Sequence, residues 1–379
     1  LIIKDRQNSI MKEIAAFVQE HICDDTARLI LNRSKWPEID MDLAVASIES
    51  RRKLKNKVQE WHDHPGLVFP VRLSAEQCSS SATAQYKAQL AASIAGQQMR
   101  LADLTGGLGV DSWFFSKHAS KVLYNEMQEP LCKAARYNFN ELGVKNIDVS
   151  NLEIQADSPN LAKLLDEFKP DIVFMDPARR GEGGKKVFLI EDCTPDVLTL
   201  RKDLFLHTRH ILIKLSPMAD ITMVCSRLGS ACREVHVVAY GGECKELLIW
   251  MDREWNEAYS VIAVELHNDG TKSEFKFSVE EECGWTPGSS GYTFIFEPGK
   301  SLMKAGCFNL IASRFGICKL GKSTHYYITD SAEQAETLKQ FGKVFQILEC
   351  HPLDKRTIKE MGRKYPKAEV TARNIPMDT

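Results

Sequence analysis

The run Asp103-Leu104-Thr105-Gly106-Gly107-Leu108-Gly109-Val110-Asp111 closes a short apolar stretch and opens a helical one. A glycine turn at the carboxyl end of a strand lets backbone N–H groups approach a ligand closely, and in an open parallel sheet that edge is where nucleotide-like ligands bind. The dinucleotide fingerprint G-x-G-x-x-G is met only in part, since Gly107 and Gly109 fit and Ser112 takes the third place. Asp103, at the strand end, suits a positively charged amino group better than a pyrophosphate. Two more acids recur at the same station. Glu126, with Met127 beside it, ends the second predicted strand, where a carboxylate can accept from both hydroxyls of a ribose. Asp157, followed by Ser158, ends the third, in a place suited to an adenine amino group. Each acid alone would equally serve as a helix cap. Three in a row beside a glycine turn favour a cationic nucleoside over a phosphate-bearing one, because like charges repel.

The elements that must position these residues follow from periodicity. From Ile10 to about His64 apolar residues recur at three and four, Pro37 interrupts, and Asp40 opens a second helix, so a helical lead-in is expected over 1–73. Its basic stretch Arg51, Arg52, Lys53, Lys55, Lys57 reads as a solvent-facing helix surface or a phosphate contact. Ser74 to Gln98 reads as one helix. Then strands alternate with helices: RLADLT, KVLYNE, LEIQAD, DIVFMD and HILIKL, followed by EVHVVAY and ELLIWM. Such alternation means a parallel α/β sheet covered on both faces. The last two runs have no room for a crossover helix and should form an antiparallel hairpin at the sheet edge. VIAVEL and EFKFSV follow, and then two β-helix-β units, the second running from VFQILE through Asp354–Lys364 to AEVTAR.

The glycine run, Glu126, Asp157 and the terminal hairpin resemble the class I S-adenosylmethionine-dependent methyltransferases, over about residues 74–252. The resemblance implies a Rossmann-like seven-stranded sheet with a reversed last strand and S-adenosylmethionine as cofactor, held by Asp103, Thr105, Gly106, Gly107, Gly109, Asp111, Glu126, Met127, Asp157 and Ser158. Lys87, or the serines on the helix before the glycine turn, would reach the methionyl carboxylate. The stretch EQCSSSATAQYKA, the DPARRG loop and the basic tail look more narrowly like a bacterial group with ferredoxin-like and THUMP-like modules, which implies RNA methylation. On this basis the chain divides into 1–73, a methyltransferase domain 74–255, a ferredoxin-like module 256–330 and a THUMP-like basic module 331–379, expected to be incomplete.

The fourth strand ends in Asp176-Pro177-Ala178-Arg179. In nucleobase methyltransferases the matching Asp/Asn-Pro-Pro-aromatic loop accepts hydrogen bonds from the base and stacks on it. Here Arg179 replaces the aromatic, so its guanidinium plane would do the stacking. An Arg there is also similar to the uridine C5-methyltransferases, whose nucleophilic cysteine follows the next strand. This chain has Lys214-Leu215-Ser216-Pro217 instead. A serine without an adjacent base is a poor nucleophile. Direct displacement by a ring or exocyclic nitrogen is therefore the expected reaction, with Asp176 orienting the base or taking its proton and Ser216 adding a hydrogen bond. Arg180, Lys185 and Lys186 flank a GEGG segment and would clamp substrate phosphates. Two other readings remain: a dinucleotide-dependent oxidoreductase and a catalytically inert RNA-binding protein.

With 379 residues, 44% hydrophobic and 26% charged, the chain is a folded protein of two or three domains. No apolar run reaches the length of a membrane helix, no secretory leader is visible, and a cytoplasmic location is expected. The eleven cysteines contain no C-x-x-C pair, so neither a disulfide framework nor a zinc site is indicated. His62 and His64 lack a nearby third ligand, and no metal is expected. The net charge of -2 is uneven. Residues 300–379 hold 14 Lys+Arg against 8 Asp+Glu. Lys355, Arg356, Lys359, Arg363 and Lys364, with Lys367 and Arg373 beyond them, read equally as a polyanion-binding surface and as a solvated helix face.

Overall fold

The structure, a computed structural model, describes residues 2–179, 189–282, 284 and 293–371. The chain divides into two compact units, residues 1–235 with 245–258, and residues 236–244 with 259–379. Among the described residues no helix is long and apolar enough to cross a membrane, and the described cysteines are free.

In the first unit the helical lead-in packs Met11, Ile14, Phe17 and Val18 against Val45 and Ile48, with Tyr137 joining from helix Glu129–Glu141. Asp25 and Asp40 cap the helices Thr26–Leu31 and Met41–Leu54. The basic stretch is neither solvent-facing nor offered to phosphate throughout. The Arg51 guanidinium is buried and donates to the carbonyls of His62, His64, Pro65 and Leu67. Arg52 donates to the carbonyls of Ile22 and Asp24, and Lys57 to those of Ala75 and Glu76. Turn carbonyls without strand or helix partners need such donors.

Strands β1 (Arg100–Asp103), β2 (Lys121–Asn125), β3 (Ile147–Ser150), β4 (Ile172–Met175) and β5 (His210–Leu215) are parallel neighbours in the order β3-β2-β1-β4-β5. The hairpin of β6 (Cys232–Tyr240) and β7 (Glu243–Asp252) turns at Gly241 and Gly242, both at positive φ. It lays β7 antiparallel to β5. The order of the first seven strands is thus 3-2-1-4-5-7-6, and the last strand is reversed, as expected. The hairpin is not the edge, however. The sheet continues through β8 (Ser260–Leu266) to β9 (Lys272–Ser278), giving nine strands. Composition explains this. The buried run Val261-Ile262-Ala263-Val264 suits an interior strand, while Lys272-Ser273-Glu274-Phe275-Lys276-Phe277 alternates and carries the lysines that keep an edge from pairing further.

Two predicted elements are corrected. The third strand is Ile147–Ser150, in register with Val122–Asn125, and not Leu152–Asp157, which forms the loop beyond it. The predicted helix over 74–98 is two, Arg72–Gln77 and Ser81–Ala95. Ser80 caps the second through the Thr83 N–H, and the Thr83 hydroxyl answers to the Ser80 N–H. This reciprocal cap forces the break.

In the second unit, β10 (Phe294–Pro298), helices Lys300–Ala305 and Phe308–Phe315, β11 (Cys318–Gly321), β12 (Thr324–Thr329), helix Ala332–Leu338 and β13 (Gly342–Gln346) follow in that order. The antiparallel sheet order is β11-β12-β10-β13. This is the ferredoxin-like βαββαβ arrangement. The boundary expected at residue 330 cuts this sheet, because VFQILE supplies its fourth strand rather than opening a second unit. Helix Lys355–Lys364 follows with no buried residue, and 368–371 are not a strand.

Candidate active site

The glycine turn is shaped by its neighbours. A Cβ on Gly106 would lie 2.2 Å from the Tyr124 ring, and Gly109 begins helix Val110–Ser116 at φ 95°. No other residue fits either place without strain. The Tyr124 hydroxyl donates to the Gly107 carbonyl at 2.6 Å, which leaves the Gly107 N–H to reach Glu126 Oε2 at 2.9 Å. Glu126 Oε1 accepts from the Gln128 N–H at 2.9 Å, so the carboxylate is held by backbone at both oxygens.

Asp103 is 1% exposed. Its oxygens accept from the Ser112 hydroxyl at 2.6 Å and the Thr105 N–H at 3.1 Å. The residue that replaces the third glycine thus supports the acid. Burial pushes the Asp103 carboxyl up to about 8, helped by the Asp111 and Asp176 carboxylates and opposed by the hydrogen bonds from Ser112 and Thr105. The Thr105 hydroxyl oxygen accepts from the Asp176 N–H at 2.6 Å, tying the glycine turn to the end of β4.

These residues border one cavity of about 220 Å³. Asp103, Thr105, Gly106, Gly107, Gly109, Asp111, Glu126, Met127 and Asp176 all line it. So do Gln77, Cys78 and Ser79 from the break between the two helices, Leu152, Glu153 and Ile154 from the loop after β3, and Pro195. Five carboxylates, of Asp103, Asp111, Glu126, Glu153 and Asp176, face it, and no Lys, Arg or His does among the described residues. No group of described residues there or elsewhere is arranged to hold a metal ion.

Several expected residues stand elsewhere. Asp157 is exposed, in a left-handed turn with its N–H on Asp203, and does not line the cavity. Ser158 caps helix Pro159–Phe168. Lys87 is fully buried, and its ammonium is spent on Glu246 at 2.7 and 2.8 Å, Ser79 at 2.8 Å and Asp111 at 3.3 Å. Lys87 is not among the residues that line the cavity. The Ser216 hydroxyl accepts from the Met218 N–H in a turn outside the cavity. Pro177 is buried and does not line the cavity, and the Arg179 backbone pairs with Cys193. Arg180, Lys185 and Lys186 lie outside the described residues. Lys355, Arg356, Lys359, Arg363 and Lys364 share the exposed helix 355–364, far along the chain from the cavity.

Sequence reasoning missed two charged residues within apolar strands, Lys214 on β5 and Glu246 on β7. The Lys214 ammonium donates to Asp176 Oδ2. Burial would lower the Lys214 pKa, yet the carboxylates of Asp176, Glu246 and Asp111 outweigh it and hold it above the usual lysine range. Burial pushes Glu246 up, against the pull of Lys87 and Lys214. The signal was legible: a lone charge in HILIKL or ELLIWM is buried by its neighbours and needs a partner.

The strand order 3-2-1-4-5-7-6 with a reversed seventh strand is that of the class I methyltransferases, here carrying a helical N-terminal region and a small C-terminal α+β module. A family model for a ferredoxin-like domain matches residues 294–335. A Porphyromonas gingivalis W83 protein, provisionally classed as a methyltransferase, is 30% identical, with a TM-score of 0.84 over 97% of this chain and 89% of that one. The chain belongs to the same family as that protein. A Streptococcus mutans protein, also provisionally classed as a methyltransferase and in complex with SAH, is 14% identical over 43% of this chain and 96% of its own, with a TM-score of 0.30. An rRNA methylase of Streptococcus thermophilus is 12% identical over 44% and 93%, with a TM-score of 0.31. Likeness this distant carries no further argument. No curated protein matches the chain.

Proposed function

We propose that this chain is an S-adenosylmethionine-dependent methyltransferase acting on a nucleobase nitrogen of RNA, rRNA or tRNA, by direct displacement. The observation that carries the cofactor reading is the cavity's lining: the carboxyl groups of Asp103, Asp111, Glu126, Glu153 and Asp176 border it and no cationic side chain does among its described lining residues, with Lys87 and Lys214 pairing Asp111 and Asp176 from outside that lining. Such a cavity attracts a sulfonium and an ammonium and repels the pyrophosphate of a dinucleotide. The residues fit the group. Asp103 would receive the ammonium, Glu126 the ribose hydroxyls, and Leu152 and Ile154 would flank the adenine. When bound, S-adenosylmethionine supplies a methyl group activated on positively charged sulfur.

On the acceptor side, Asp176 would take a hydrogen bond from the base, fixing its nitrogen in contact geometry. Positioning of this kind supplies up to about 7–11 kcal/mol of a barrier in favourable cases. A covalent pyrimidine adduct is disfavoured. The cysteine that lines the cavity, Cys78, has its thiol pushed up to about 11 by burial, and the thiol donates to the Ala75 carbonyl. The RNA part of the reading is supported by the resemblance of the sequence and by the exposed basic helix 355–364.

Calorimetry should show SAH binding that Asp103→Ala weakens severely; no heat at high protein concentration would remove the cofactor. Labelled methyl transfer to bulk RNA from cells lacking the gene should be seen with the native chain and lost with Asp176→Ala. Binding of both SAH and RNA without any transfer would favour the inert RNA-binding protein.

A further inference from the structure

The acid at the end of β4 is held at two points. Its N–H donates to the Thr105 hydroxyl oxygen, and its Oδ2 accepts from the Lys214 ammonium. Oδ1 has no protein partner among the described residues, and Asp176 lines the cavity. The Lys214 side chain is only 13% exposed and the Asp176 side chain 35%. Besides Asp176, the carboxylates that act on Lys214 are Glu246, which Lys87 already engages, and Asp111. A carboxylate paired at one oxygen presents the other in a fixed direction, and its charge is largely cancelled toward anything that approaches. The negative excess of the cavity is then left on Glu126 and Glu153.

We propose that Lys214 is a positioning residue: it aims Asp176 Oδ1 at the acceptor and neutralises that carboxylate, so the acceptor end of the cavity takes a neutral N–H donor and discriminates against a cation. The inference rests on the reading of the cavity as an S-adenosylmethionine site. Lys214 acts through Asp176 and touches no reacting atom.

Two cofactor analogues test it without knowledge of the RNA. SAH carries a neutral thioether at the reacting position, and sinefungin carries an amine there, charged at neutral pH. Their dissociation constants are measured by calorimetry on the full chain, and the ratio of SAH to sinefungin is compared across variants. Lys214→Met bares the Asp176 charge, so the ratio should rise by about tenfold or more. Asp176→Asn leaves the ammonium uncancelled, so the ratio should fall below that of the native chain. Lys214→Arg should keep it within about threefold, since a guanidinium pairs the carboxylate too. If Lys214→Met does not fold, as judged by melting with and without SAH, Lys214→Gln replaces it. A ratio unchanged in both Lys214→Met and Asp176→Asn, with the two ligands weakening together, would show a merely structural ion pair and overturn the proposal. If neither analogue binds the native chain, the cofactor reading itself falls and takes this inference with it.

Discussion

Asp103 is a buried acid whose carboxyl is pushed up to about 8, far above its range in an unfolded chain. The folded state therefore binds the extra proton between roughly pH 4 and pH 8. The stability that this proton confers is present in full below pH 4 and lost as pH rises through about 8. Asp103→Asn should flatten that part of the melting-temperature profile of the ligand-free protein, and an unchanged slope would assign it to other groups. Binding of an ammonium-bearing ligand runs the other way. SAH should bind more tightly as pH approaches 8 from below, and Asp103→Asn should abolish the trend. At this scale the structure brings to the cavity the acids that follow strand ends, Asp103 and Glu126, and not Asp157 and Ser216, which stand in turns; a carboxylate or hydroxyl that caps a turn has the same local spelling as one that lines a cavity. Lys87 shows the opposite failure, since nothing in helix 81–95 announces that Glu246, far along the chain, will claim it.

Between elements, the Lys87–Glu246 pair ties helix Ser81–Ala95 to β7 in a fully buried setting. Removing one partner of such a pair strands a charge, so Lys87→Met should cost about 3–5 kcal/mol in denaturant unfolding. The double variant Lys87→Met with Glu246→Leu should recover much of that loss, and failure to recover would mean that Asp111 and Ser79 dominate the site. Gly106→Ala drives a methyl into the Tyr124 ring and should cost about 1–3 kcal/mol by overpacking while abolishing SAH binding. The strands of the parallel core were legible because each is a short β-rich run next to a helical one. The third was misplaced for a physical reason. Leu152 and Ile154 alternate with polar residues as a strand would, yet they face a cavity, and alternation does not distinguish a sheet from a loop lying against a ligand site.

At the scale of the whole chain, the sequence displayed the α/β alternation and the reversed last strand but not the continuation into nine strands, because pairing partners in a sheet are chosen by exposed edges and not by local pattern. The C-terminal charge was legible, and its disposition is more extreme than charge alone implied. Lys355, Lys359 and Arg363 succeed one another at four-residue spacing on a helix with no buried side chain. Reversing all three to Glu should weaken RNA binding and lower its salt slope by about 2, as expected for three lost phosphate contacts on a single strand. An unchanged slope would show that these charges only keep the protein in solution.

That helix has a further implication. A stretch of 10 residues is shorter than the roughly 12–15 that persist unaided in water, and none of its residues is buried. Asp354 secures its start, while Glu349 receives both the Lys364 ammonium and the Tyr365 hydroxyl at its end. Its amide hydrogens should therefore exchange with solvent sooner than those of any helix wrapped around the parallel sheet, and a polyanion laid along it would slow that exchange by freezing the winding it binds.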